Sequence, residues 1–209
     1  MALVVLACVG WWLAGLMPSW YAPPDATDDA VRTLGEKAEY RLVEEFQKIR
    51  PPEEVWRLRI PEDAINAWLA ARLPAWLSGQ GAEWPKELGI PQVHISPSGL
   101  TFAIQASELG GRTGTLTLWP VIDNGMLSCD VSGGIGRLPL PIPLSMVHPL
   151  IEDATEGSER LTFLAQLTNG DPVASTIPLV DHRQVRLQDI SCEDGGIVLT
   201  ASTFADRNH

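Results

Sequence analysis

No charged side chain occurs in the first 24 residues, MALVVLACVGWWLAGLMPSWYAPP, and Asp25 then opens the run DATDD. Crossing the hydrocarbon core of a bilayer takes about 20 helical residues. Residues 2–22 just suffice, with Trp20 and Tyr21 placed where amphipathic rings favour the headgroup level. Four readings compete for this segment. A cleaved signal peptide needs a basic n-region and a small-x-small cleavage site, yet no Lys or Arg precedes Arg32. A lipobox-like Val5-Leu-Ala-Cys8 comes too early for an h-region to precede it. A buried helix is the third reading, and an uncleaved transmembrane anchor over residues 1–24 fits best. The acidic flank after it (Asp25, Asp28, Asp29) predicts a single-pass topology, N-terminus cytoplasmic and C-terminal domain extracytoplasmic, in the periplasm or at the cell surface.

Beyond the anchor, the chain is long enough for one domain with a proper core. Of all residues 45% are hydrophobic and only 20% charged, which excludes disorder over most of the length. The net charge of −11 repels nucleic acid and anionic lipid surfaces, and the 15 Lys and Arg form no basic stripe. Nucleic acid is excluded as a partner. Of the three cysteines, Cys8 lies in the anchor, while Cys129 and Cys192 fall in strand-like runs. Either a disulfide or two buried free thiols satisfies that placement. The thiols are favoured, because a domain of this size needs no staple.

Over residues 28–49, Val31, Leu34, Ala38, Leu42, Phe46 and Ile49 recur at steps of three and four. This spacing predicts a juxtamembrane amphipathic helix within 25–52, capped by Thr27 or Asp28 and stopped by Pro51-Pro52. It either stands the domain off the bilayer or packs on the core. Residues 55–60 (VWRLRI) alternate as a half-buried strand does. Pro61 then suits a first helical position, with Glu62 and Asp63 near the positive end of the helix dipole. A helix over 61–77 comes next, kinked or interrupted near Leu73 by Pro74. Beyond Gly89 the texture is strands and turns. Three hairpins turn on 97–99, 123–125 and 193–196, each ending its polar turn in Gly before a bulky residue (Leu100, Met126, Ile197). Prolines 139, 141 and 143 make 133–143 an edge or connector; 144–153 and 156–167 read as short helices, 175–180 as a strand, and 205–209 as a frayed tail. The whole predicts an α+β globular domain over 53–204: a curved antiparallel sheet of hairpins packed on one long, kinked helix.

The order of these signals carries a resemblance. An anchor leads to a helix and a short strand, then to a helix start with Glu62, Asp63, Asn66 and Leu69. Gly-turn hairpins come after it, and then Gly136, Leu138, Pro139, Leu140 and Pro141. This resembles anchored extracytoplasmic bacterial domains of the tubular lipid-binding type, convincingly over about 56–144. The resemblance implies a curved sheet wrapping a long helix around an apolar groove, and a role in holding or moving lipid.

Catalytic constellations are not found. Ser145 and His148 lie close in sequence, as do Asp181 and His182, but no Gly-x-Ser-x-Gly elbow or metal-ligand spacing accompanies them. The acids Asp181, Asp189, Glu193 and Asp194 read as solvated turns, and no cofactor or metal is expected. What remains is apolar surface. Trp56, Trp68, Trp76, Trp84 and Trp119 either fill the core or leave a groove lined by Trp68, Leu69, Leu73, Trp76 and Leu118. A groove holding about ten CH₂ groups offers roughly 8 kcal/mol before ordering costs. Two functions fit such a surface: a membrane-tethered, non-catalytic module binding lipid or another apolar ligand, or a structural adaptor for an envelope protein partner.

Overall fold

The computed structural model describes residues 12–51, 53–79, 81, 83–138, 166–167 and 170–205. The expected helices over 144–153 and 156–167 lie outside these residues, apart from 166–167, as does most of the 205–209 tail. The helices that frame the domain are α1 (Asp29–Gln47), α2 (Glu62–Ala71) and α3 (Leu73–Gly79). The strands are β1 (Val55–Pro61), β2 (Gln92–Ser96), β3 (Gly99–Ala106), β4 (Arg112–Asp123), β5 (Met126–Ile135), β6 (Val173–Ala174), β7 (Thr176–Pro178), β8 (Arg183–Glu193) and β9 (Gly196–Ala205). They form two antiparallel sheets: sheet A, ordered β1-β9-β8-β7, and sheet B, ordered β2-β3-β4-β5-β6.

This corrects the expected fold class. Among the described residues there is no single curved sheet on one long helix, but two sheets facing one another with helices at one margin. The 61–77 helix is two pieces broken at Arg72. Pro74 falls in the first turn of α3, where its missing N–H removes no intrahelical bond. The long helix that the tubular lipid-binding resemblance implies is thus not formed.

The membrane anchor is also corrected. Among the described residues no helix is long and apolar enough to cross a membrane. Residues 1–11 lie outside the description; residues 12–15 are helical, and the chain then runs without helix to Pro24. Pro18 and Tyr21 are buried against the protein. Trp20 and Tyr21, assigned to the headgroups, instead meet the protein: Trp20 stacks on His94 of sheet B, and Tyr21 bonds to the backbone at Ile90 and Gln105. The predicted transmembrane signal-anchor and the single-pass topology with an extracytoplasmic domain therefore have no spanning helix under them among the described residues.

The hairpins form where the Gly turns place them, with Asn124 and Gly125 both at positive φ (50° and 76°) between β4 and β5. α1 starts on Asp28, whose carboxylate accepts from the Ala30 amide. Its predicted stripe is only partly covered: Leu34 and Leu42 remain 36% and 39% exposed, while Phe46 meets Trp56 edge-on with ring centroids 5.5 Å apart. α1 crosses α2 at Gly35, where a Cβ would come within 3.0 Å of the Ala67 carbonyl oxygen. The last carbonyls of α1, on Gln47 and Lys48, accept from the Arg183 guanidinium (2.7 and 3.0 Å).

The inner face of sheet A carries Trp56, Leu58, Val185, Leu187 and Ala201, and Ile122 of β4 packs onto this cluster from sheet B. Two margins join the sheets. At one, Ser175 links β6 of sheet B to β7 of sheet A: its amide donates to Gly125 O, its hydroxyl to Leu187 O, and the Leu187 amide to Ser175 O.

At the other margin α2 clasps the outer edge of β2. Asn66 accepts from the Val93 amide (2.7 Å) and donates to the Val93 carbonyl (2.9 Å). Glu62, one turn earlier on the same face, accepts from the Ile95 amide (2.7 Å). Gly195 completes the row, donating to Ile95 O and accepting from the Glu62 amide. Replacing Asn66 with Ala leaves the buried Val93 amide and carbonyl unpaired. We expect a loss of about 2–4 kcal/mol in urea unfolding; a change under about 0.5 kcal/mol would contradict the clasp.

Candidate functional site

The outer face of sheet B is polar because its strands alternate and their registers align like with like. Thr101 on β3 pairs with Thr117 on β4, which pairs with Ser132 on β5; Thr115 pairs with Gly134. The Thr101 and Thr117 hydroxyls are 2.9 Å apart. A face of hydroxyls ordinarily meets water, but here the chain's own residues 16–22 cross it as a strap. Gln92 grips the strap's backbone with both ends of its amide, accepting from the Ala22 N–H (2.6 Å) and donating to the Trp20 carbonyl (3.1 Å). The Trp20 indole stacks on the His94 ring (5.2 Å, 26°), and His94 Nδ1 lies 3.3 Å from the Glu62 carboxylate. Tyr21 is inserted deepest. Its hydroxyl donates to Ile90 O (2.8 Å) and accepts from the Gln105 amide (3.3 Å). Burial pushes this phenol above its ordinary value, partly offset by the Gln105 amide.

The strap is held at its start by the turn after β5. Gly136 sits at φ 60°, and a Cβ there would lie 2.6 Å from the carbonyl oxygens of both Ala14 and Leu16. Only glycine admits that approach. The Arg137 amide donates to Leu13 O (3.1 Å) and its guanidinium Nε to Met17 O (3.3 Å), serving carbonyls at the end of the 12–15 helical turn.

Between strap and sheet lies a trough of about 560 Å³. Pro18, Ser19 and Trp20 form one wall, and Thr101, Thr115, Thr117 and Ser132 the floor. Gly133, Gly134, Gly136, Arg137 and Leu138 close the end. That volume is within the usual range for a small-molecule site. Its chemistry is hydrogen bonding by hydroxyls, one guanidinium and an indole, with glycine backbone at the closed end. No nucleophile–base pair lines it, and among the described residues no cluster of His, Cys, Asp and Glu could hold a metal ion.

The sequence-predicted apolar groove is placed elsewhere. Trp68 and Trp76 come together edge to face with centroids 6.1 Å apart, at the surface, Trp76 being 40% exposed. The Trp68 indole donates to Glu39 of α1 (3.2 Å), which Arg72 also meets (3.1 Å). The Arg72 guanidinium is the main cause holding the Glu39 carboxyl below the usual range. Leu69 and Leu73 are half-buried on α2 and α3. Leu118 is not with them. It sits on β4 between Leu100 and Val131, with β2 and β3 separating it from the helices. Ser145 and His148 lie outside the described residues, and Asp181 is engaged by Arg183 across the β7–β8 turn (2.7 Å).

The trough residues are not marked out by the sequence as a site, although one signal is there. Thr113, Thr115 and Thr117 alternate with Gly114, Leu116 and Leu118, a clear polar face. Nothing in that alternation announces the strap. No protein-family model matches the sequence, and no curated protein matches it.

Gln92→Ala should free the strap. We expect proteolytic cleavage around residues 20–24 to speed up roughly tenfold or more, for a stability loss of only about 1–2 kcal/mol. An unchanged cleavage rate would show that Gln92 does not hold it.

Proposed function

We propose that the protein is a non-catalytic binding module, and that its ligand lies in the trough between the strap and sheet B. One observation carries this reading: a cavity of about 560 Å³ floored by Thr101, Thr115, Thr117 and Ser132 and ended by Arg137. Hydroxyls both donate and accept, so they suit a ligand that does the same. A guanidinium is a planar donor fork matched to a carboxylate, and the Trp20 indole offers apolar area for a sugar ring or similar flat face. The best match is a polyhydroxylated ligand with a carboxylate, the chemistry of an acidic oligosaccharide. The trough is open and polar, so affinity is expected to be modest.

A second reading has its own observation. Trp76 is 40% exposed beside Trp68, which supports an apolar ligand held against α2 and α3. Native mass spectrometry of the full chain should then show co-purifying lipid, lost in Trp76→Ala. Repeated recovery of lipid-free protein counts against it.

The principal reading is tested by calorimetric titration with an oligouronate and its neutral counterpart. The acidic ligand should bind about tenfold more tightly or better, and Arg137→Ala should erase that preference. Equal affinities, or a preference that survives Arg137→Ala, would overturn it.

A further inference from the structure

We infer that Cys129 and Cys192 form an oxidisable pair whose disulfide staples sheet B to sheet A. On β5, Cys129 stands opposite Pro120, one place along the same face from the Ile122–Leu127 pair. Ile122 packs on the sheet A core, so this is the face that looks toward the other sheet. On β8, Cys192 stands opposite Ile197, and Ile197 stands opposite Ile60 of β1. Two residues before it on the same face, Ile190 packs on that same core. Side chains alternate along a strand, so the two thiols enter one layer from opposite walls. Their neighbourhood is close enough that charge on Cys192 is felt at Cys129. Both are free and half-buried, which leaves each within reach of a small oxidant.

Burial pushes both thiols above their ordinary value, Cys192 by this cause alone and Cys129 with it as the largest. Both thiols are therefore protonated at neutral pH and react slowly there, because the thiolate is the nucleophile. With oxidised glutathione as oxidant, one thiolate attacks its disulfide and releases a glutathione thiolate. The second cysteine, losing its proton, attacks the mixed disulfide and releases the other. Two cysteine thiols become one disulfide, and one glutathione disulfide becomes two glutathiones. The closed loop contains the whole connection from β5 to β8, so the bridge stabilises chiefly by restricting the unfolded chain.

The test uses the full chain carrying Cys8→Ser, with the wild-type chain alongside, each treated with oxidised glutathione. Intact mass should fall by two hydrogens, and peptide mapping should join the Cys129 and Cys192 peptides in both proteins. The rate should rise roughly tenfold for each unit of pH added below the thiol range. The thermal midpoint should climb by about 5 °C or more and return when dithiothreitol is added. Cys129→Ser should lose no hydrogens and carry glutathione on Cys192. Separate glutathione adducts on both cysteines of the Cys8→Ser chain, disulfides between two chains only, or bridge formation without a midpoint rise would overturn the inference.

Discussion

Two side chains one helical turn apart, Glu62 and Asn66, take the place of a missing β-strand. β2 is the margin of sheet B, and its outward amides and carbonyls at Val93 and Ile95 have no strand beside them. An unpaired edge is a site for unwanted association, and an unpaired buried amide is costly. Asn66 meets both groups of Val93 and Glu62 meets the Ile95 amide, while Gly195 from the β8–β9 turn meets the Ile95 carbonyl. Each bond contributes about 1 kcal/mol net, and more where a carboxylate accepts. Their larger effect is geometric. Helix α2 begins as β1 of sheet A ends, so fixing α2 on β2 sets one sheet against the other.

The rest of the molecule is arranged from that margin. The opposite margin is closed covalently by the passage through Ser175, whose hydrogen bonds reach Gly125 in one sheet and Leu187 in the other. The two sheets are thus tied on both sides, and their apolar faces meet between. Sheet B then turns its hydroxyl face outward, and the clasp reaches that face too: Glu62, which holds the Ile95 amide, also faces His94, on which Trp20 lies. The strap, the trough under it and the clasp are one connected set of contacts.

Local features are legible in the sequence and distant partnerships are not. The Asp28 cap, the α1 stripe and the Pro74 break are rules of a single helix, and the Gly turns of the three hairpins are rules of a single hairpin. Glu62 and Asn66 stand out as a pattern, but their backbone partners lie about thirty positions later in the chain. The apolar N-terminal run shows the same boundary. Hydropathy reports that Trp20 and Tyr21 favour an amphipathic setting, and it does not say whether a bilayer or a folded sheet provides it. Here Gln92, His94, Ile90 and Gln105 provide it. The Trp68, Leu69, Leu73 and Trp76 face is legible as helical periodicity. Leu118, chosen for its strand, is separated from it by a sheet order that no local pattern encodes. The hydroxyl floor is visible as alternation at Thr115 and Thr117, yet its roof arises from residues almost a hundred positions earlier.

The clasp is tested most directly by native-state hydrogen exchange, resolved by NMR at the amides of Val93 and Ile95. If side chains of α2 hold them, both exchange only through global unfolding, at rates matching the β3–β4 amides, although β2 is the margin of its sheet. Exchange at rates typical of an exposed edge strand, orders of magnitude faster than β3 and β4, would contradict the account.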